Sequence, residues 1–258
     1  MRRIAVYGKG GIGKSTISSN AAAAMADSGL KVMLIGCDPK SDSTKLLLKG
    51  GRCRTVLDTM RDRVTPSLGD IVTEGHGGVL CVECGGPRPG SGCAGRGIIA
   101  AFEVLEKLDA VGTFRPDAVI YDVLGDVVCG GFAMPIRNGY AGDVFVVTSG
   151  ELMSLYAASN ISEAVRSFSA DGYARFGGLI QNSRNVDSED ELVKKAAGEM
   201  GTKVIARIGR DPAVQRCENR GVTVIEGEPD SPQAAAYRAL AASLISCSGN
   251  TDGGLRIE

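Results

Sequence analysis

Residues Gly8-Lys9-Gly10-Gly11-Ile12-Gly13-Lys14-Ser15 fit the phosphate-cradling pattern G-x-x-x-x-G-K-[ST]. Glycines at this spacing let successive backbone N–H groups turn inward toward phosphate oxygens. Lys14 can then reach the terminal phosphates, and the Ser15 hydroxyl can ligate Mg²⁺. The apolar run Ile4-Ala5-Val6-Tyr7 precedes the loop, and a helix-like run begins near Thr16. A strand before and a helix after are the context in which such a loop binds nucleotide rather than merely turning the chain. Lys9, a second lysine inside the loop, is left unexplained by the pattern.

Two carboxylates end apolar runs elsewhere: Asp38 in Gly36-Cys37-Asp38-Pro39-Lys40-Ser41-Asp42-Ser43, and Asp122 in Ile120-Tyr121-Asp122-Val123-Leu124-Gly125-Asp126. Acids at such turns commonly do no more than cap helices. At the tips of parallel strands, on the same edge as the loop, they can also hold Mg²⁺ through water or orient an attacking water. Beside a phosphate loop they read as the two switch segments of a nucleotide hydrolase, with Asp126 as candidate water-orienting base.

The chain has eight cysteines. Cys81-Val82-Glu83-Cys84 is a C-x-x-C pair with Cys93 nine residues on, but a metal site there lacks a fourth ligand, and strand alternation sends Cys81 and Val82 to opposite faces. Cys93 and Cys129 are the more persuasive pair. Glycines flank both, and each opens a helical run, where backbone N–H groups and the helix N-terminus favour a thiolate or an anionic cluster. Two thiolates cannot hold a four-iron cluster; a symmetric dimer supplies four, on its two-fold axis. The competing reading is that both are small buried residues beside turns. Cys37, Cys53, Cys81, Cys217 and Cys247 read as core or unexplained thiols, and Cys84 stays open.

The elements that must position these groups alternate. Strands are expected over residues 3–8, 31–36, 79–83, 118–122, 144–149, 176–182 and 203–208, and helices over 15–28, 94–108, 152–168, 189–200 and 233–245. Continuous apolar strands separated by helices predict a doubly wound α/β fold, with a mainly parallel sheet covered on both faces. One domain over 1–258 is expected, with a loosely ordered polar tail from Ser246. The run of alanines at 21–24 allows the first helix to approach the sheet closely. With 43% apolar residues and a net charge of −1, the chain makes no broad electrostatic claim on nucleic acid or anionic membrane. No run has the length of a membrane span and no signal peptide is visible, so a cytoplasmic protein is expected.

Residues 8–15, 36–44, 85–97 and above all 121–135, with 156–161, 177–187, Val214-Gln215-Arg216 and 223–226, resemble the nitrogenase iron protein family, the dinitrogenase reductases. The resemblance spans roughly residues 2–242. It implies a P-loop ATPase of the deviant-loop type that works as a homodimer with one bridging [4Fe-4S] cluster. Such a protein passes single electrons to a larger two-subunit nitrogenase or nitrogenase-like catalytic protein, and a ferredoxin- or flavodoxin-type donor recharges it. Carried over by position, the resemblance makes Cys93 and Cys129 the cluster ligands and Gly8, Lys9, Gly10, Gly11, Ile12, Gly13, Lys14 and Ser15 the nucleotide cradle. Lys9 reaches the nucleotide across the dimer, and Lys9, Asp38 and Asp126 are the catalytic set. Lys40 and Asp42 fall in the first switch with Asp38, Asp122 falls in the second, and Asn182 lies near the adenine. Arg96 matches an arginine at the partner-docking face that some members carry ADP-ribosylated.

Most departures from the family's pattern lie on or near the expected docking side. Residues 50–63 are shorter and more basic than in molybdenum-nitrogenase reductases, Cys84 replaces a usual Ser, Arg88 a usual acid, and Gly209 a usual Pro; the acidic C-terminal extension of many members is missing. These tilt the expected acceptor toward the nitrogenase-like group, which includes enzymes reducing a tetrapyrrole precursor or cleaving a carbon–sulfur bond. The competing class is a partitioning or scaffold ATPase with the same loop. That class needs a Lys9-type residue but no Cys129 beside the second switch.

Overall fold

The computed structural model describes residues 1–62, 65–87, 93–125, 133–169 and 173–249. Among the described residues eight strands form one sheet: β1 (Arg2–Gly8), β2 (Val32–Gly36), β3 (Thr73–Glu74), β4 (Leu80–Glu83), β5 (Ala118–Asp122), β6 (Asp143–Thr148), β7 (Arg175–Asn182) and β8 (Val204–Ile208). Their order is β3-β4-β2-β5-β1-β6-β7-β8. All pairings are parallel except that of β3 with β4. Strands β2, β5 and β6 are buried along their whole length, as aliphatic runs without polar alternation require when both faces are covered.

Helices are α1 (Lys14–Asp27), α2 (Val56–Arg61), α3 (Leu68–Ile71), α4 (Ala94–Lys107), α5 (Ala110–Phe114), α6 (Met134–Arg137), α7 (Leu152–Ser169), α8 (Glu189–Glu199), α9 (Pro212–Asn219), α10 (Val224–Gly227) and α11 (Pro232–Cys247). One core lies on the sheet face of Ala5 and Tyr7, filled by Phe102 of α4, Ala110 of α5, Ile161 of α7 and Val193 of α8. The other lies on the face of Ile4 and Val6, filled by Ile17 of α1, Cys217 of α9, Ile225 of α10 and Leu240 of α11. The short strand β3 and helices α2, α3, α5, α6, α9 and α10 are not anticipated by the sequence. Nearly all span two turns or fewer, too little for a period to show.

Helix α1 is buried on every side from Ile17 to Met25 because it lies between the sheet and the layer of α10 and α11. The alanines make this thin sandwich possible. Asn20, fully buried, donates to Thr16 O at 2.8 Å and accepts from Val224 N–H at 2.7 Å, which ties α10 to α1.

Residues 246–249, at the start of the polar tail, are held against the sheet edge. Ser248 is buried, and Arg2 donates to its carbonyl; Arg175 Nη2 donates to Cys247 O at 2.8 Å and Gly249 N–H to Asp143 Oδ2 at 2.7 Å. A polar sequence is docked here because side chains at the N-terminal edge of the sheet satisfy the last groups of α11. Residues 250–258 lie outside the described residues. Among the described residues no helix is long and apolar enough to cross a membrane.

Candidate functional site

Strand β1 ends at Gly8, and the loop to α1 closes over the start of that helix. Gly13 caps α1 with φ 99°, and a Cβ there would lie 2.6 Å from Asn182 Nδ2, so both conformation and space demand glycine. Asn182 Nδ2 donates to Ile12 O at 2.6 Å and Arg184 Nη2 to Gly11 O at 2.6 Å, binding the end of β7 to the loop. The Lys14 ammonium is buried and donates to Gly8 O at 2.9 Å and Lys9 O at 3.2 Å. It therefore lies across the loop, where phosphates would enter. Lys9 itself is half-buried.

Register places the acidic strand ends side by side, with Val6 opposite Asp122, Asp122 opposite Gly36, and Gly36 opposite Glu83. Ser43 Oγ donates to Asp122 Oδ2 at 2.6 Å and Ser18 Oγ to Oδ1 at 3.3 Å. Burial pushes the Asp122 carboxyl above its ordinary range, against the opposing hydrogen bonds from Ser43 and Ser15 and the nearby Lys14 ammonium. Asp38, also buried, accepts from Lys40 N–H at 2.9 Å and meets Lys40 Nζ at 3.4 Å; Asp38 first, then Asp42, hold the Lys40 ammonium above its usual range.

A cavity of about 180 Å³ is lined by Gly10, Gly11, Gly13, Lys14, Ser15, Thr16, Asp38, Lys40 and Asp122. The structure thus brings together the loop and both strand-end acids expected from sequence. Asp42 is exposed and not part of that lining. A second cavity of about 650 Å³ shares Gly11, Gly13 and Thr16 and extends to Asn182, Asp211, Gln215, Gln233 and Tyr237, with room for a nucleoside. Its far wall comes from α9 and α11, and of it only Val214 and Gln215 fall in a stretch singled out from the sequence. The expected base Asp126 and ligand Cys129 lie outside the described residues.

Cys93 is the N-cap of α4 and is exposed. Hydrogen bonds from the Arg96 N–H and then the Gly95 N–H pull its thiol below the usual range. An exposed sulfur held toward thiolate at a helix start fits an anionic iron-sulfur cluster. Arg96 is exposed one turn inside the same helix. The C-x-x-C pair is split: Cys81 faces the α1 core and Cys84 the α4 core, beside Cys37, whose thiol is raised by burial and then by Cys84. Cys84 is therefore a core residue. Among the described residues no three His, Cys, Asp or Glu side chains gather as a metal site.

Glu83 was not singled out from sequence, although it too is an acid closing an apolar run, which is the sign that picked out Asp38 and Asp122. It is 1% exposed; Oε1 accepts from Thr44 N–H and Thr44 Oγ at 2.8 Å each, while Oε2 is without a hydrogen-bond partner. Oε2 lies so close to Gly36 that no Cβ fits there. Burial raises the Glu83 carboxyl to about 8, against the opposing bonds from Thr44. An unfolded Glu titrates near 4.3, so between about pH 4.3 and the folded value the native chain holds an extra proton and stability falls as pH rises. Glu83→Gln removes that proton, and its melting temperature is expected to drop less than the parent's between about pH 6 and pH 9. Parallel curves would mean that Glu83 is ionised throughout.

The profile of the 4Fe-4S iron sulfur cluster binding proteins, NifH/frxC family, matches residues 2–251. The nitrogenase iron protein of Methanospirillum hungatei is 55% identical over 256 residues, covering 98% of this chain and 89% of that one. In shape the chain is similar to the cell division ATPase MinD of Pyrococcus furiosus, with a TM-score of 0.73 at 20% identity over 95% of this chain and 99% of that one. It is similar also to a ParA family ATPase from Chlorobium tepidum, with a TM-score of 0.70 at 19% identity over 93% and 98%. At such identities these two structures speak for the P-loop ATPase fold alone. The sequence match is long enough to go further, and the chain belongs to the nitrogenase iron protein family, whose members are ATP-hydrolysing iron-sulfur electron-transfer enzymes.

Proposed function

We propose that the chain, one domain over residues 1–258, acts in the cytoplasm as a homodimer bridged by a [4Fe-4S] cluster on Cys93 and Cys129 of each copy. MgATP hydrolysis is coupled to single-electron delivery to a larger two-subunit nitrogenase or nitrogenase-like catalytic protein, and a ferredoxin- or flavodoxin-type protein resupplies the electron. The observation that carries this reading is the exposed, thiolate-favouring Cys93 in a chain whose phosphate loop, Asp38 and Asp122 surround one cavity. The cluster, when bound, supplies the one-electron redox chemistry.

The chain's own residues supply the rest. Backbone N–H groups of residues 8–15 and the Lys14 ammonium neutralise phosphate charge, and Ser15 offers an oxygen to Mg²⁺. Asp38 and Asp126 orient water, Asn182 faces the adenine, and Lys9 reaches the partner copy's nucleotide. Lys40 and Asp42 ride on the first switch and Asp122 anchors the second, while Arg96 meets the electron acceptor.

Anaerobically purified protein is expected to be a dimer with about four irons per two chains. Its transfer of electrons to the acceptor should require MgATP, and Lys9→Ala should lose that transfer while the nucleotide-free protein melts as the parent does. Undiminished transfer by Lys9→Ala would remove its role across the dimer. Electron transfer independent of nucleotide, or a monomer with a full complement of iron, would overturn the whole reading.

A further inference from the structure

We propose that Glu83 is a positioning residue through which the first switch reports the nucleotide's state to Cys93; this rests on the function just proposed. The second switch reaches a cluster ligand along the chain itself. No such covalent route joins the segment after Asp38 to Cys93, and the structure supplies a packed one instead.

Adjacent residues of the first switch are held by two buried carboxylates, Ser43 by Asp122 and Thr44 by Glu83. Asp122 lies in the cavity expected to take the phosphates, whereas Glu83 ends the strand that leads toward Cys93. The same switch touches that exit again at Gly86, where Pro39 is packed so closely that a Cβ would fall 2.5 Å from Pro39 Cβ. The exit is in turn held by α2. Leu57 N–H donates to Cys84 O at 3.1 Å, and Leu57 Cδ1 lies 2.8 Å from where a Cβ of Gly97 would be. Gly97 N–H donates at 3.4 Å to the carbonyl of Cys93 itself. A shift of Thr44 and Pro39 on nucleotide exchange therefore moves the end of β4, and α2 passes the movement to the first turn of α4.

The unpartnered Glu83 Oε2 suits this role. Glu83 binds the switch through one oxygen and has no second bond to resist displacement, and Gly36 leaves the room in which it sits. A carboxyl serving only to fill the core would be expected to satisfy both oxygens.

The test is amide hydrogen exchange over residues 94–100 of the purified protein, with MgADP against a non-hydrolysable MgATP analogue, and with nucleotide affinity measured alongside by calorimetry. In the unaltered protein the two nucleotides are expected to give exchange rates about fivefold apart, the scale of one net hydrogen bond. Thr44→Val, which deletes the hydroxyl donor at constant shape and leaves the Thr44 N–H bond to Glu83, should shrink the difference while affinity stays within about threefold, and Thr44→Ser should restore it. If Thr44→Val does not fold, Glu83→Ala against Glu83→Gln makes the same comparison, since only glutamine keeps an acceptor for Thr44. A difference undiminished in Thr44→Val, or one that persists in Glu83→Ala, overturns the proposal, as does its absence in the unaltered protein that binds both nucleotides. An unaltered protein that binds neither nucleotide refutes the ATP-dependent function and, with it, this link.

Discussion

Cys93→Ser is expected to yield a folded protein without its iron. The substitution removes a thiolate that Arg96 and Gly95 N–H groups already hold below its ordinary range, and replaces it with a hydroxyl that does not ionise near neutrality. In a dimer with two cysteines from each copy, one substitution deletes half of the ligands. Serine is among the best N-cap residues, so α4 should start as before and the loss can be read as loss of a ligand rather than of a helix. Iron content by spectroscopy is expected to fall at least about tenfold, while the melting temperature of the metal-free protein stays close to that of the metal-free parent. Full iron content in the Cys93→Ser protein would remove Cys93 from the ligand set.

Lys14→Met should cost the protein its nucleotide. The ammonium lies over the loop in two hydrogen bonds to Gly8 and Lys9 carbonyls, at the mouth of the cavity between Asp38 and Asp122. Methionine has a similar reach and no charge. A single charge-assisted hydrogen bond is worth roughly 1.5–3 kcal/mol, so two lost to phosphate oxygens predict an affinity for MgATP lower by about a hundredfold or more. Calorimetry reads it directly, and affinity within about threefold of the parent would mean that Lys14 serves only to brace the loop. The fold should survive, since α1 is held by its buried alanines and by Asn20 rather than by Lys14.

The loop, Asp38 and Asp122 were legible because each depends on local order: glycine spacing, or an acid where an apolar run stops. The mainly parallel sheet was legible for the same reason. Glu83 obeys the same rule but lies within the C-x-x-C pair, whose spacing suggests a different chemistry. Its partner Thr44 is close only through the pairing of β2 with β4, and that register is not written in either segment. The spacing of Cys81 and Cys84 already contained their separation, since three steps along an extended chain end on the opposite face. The wall of Asp211, Gln233 and Tyr237 could not be read, because these side chains come to the loop from some two hundred residues away.

Helix α1 has a consequence for the order in which the protein is made. It follows the first strand, yet its outer side is covered by α10 and α11, with Thr16 Oγ donating to Glu218 at 2.8 Å and Asn20 accepting from Val224. A nascent chain that has emerged only as far as β8 has its phosphate loop but leaves an alanine-rich face of α1 in water. Contacts of such long sequence separation form late and slowly. The cavity wall of Gln233 and Tyr237 and the cover over α1 are therefore complete only once α11 has been made, and a chain broken off before it leaves the apolar back of its first helix bare.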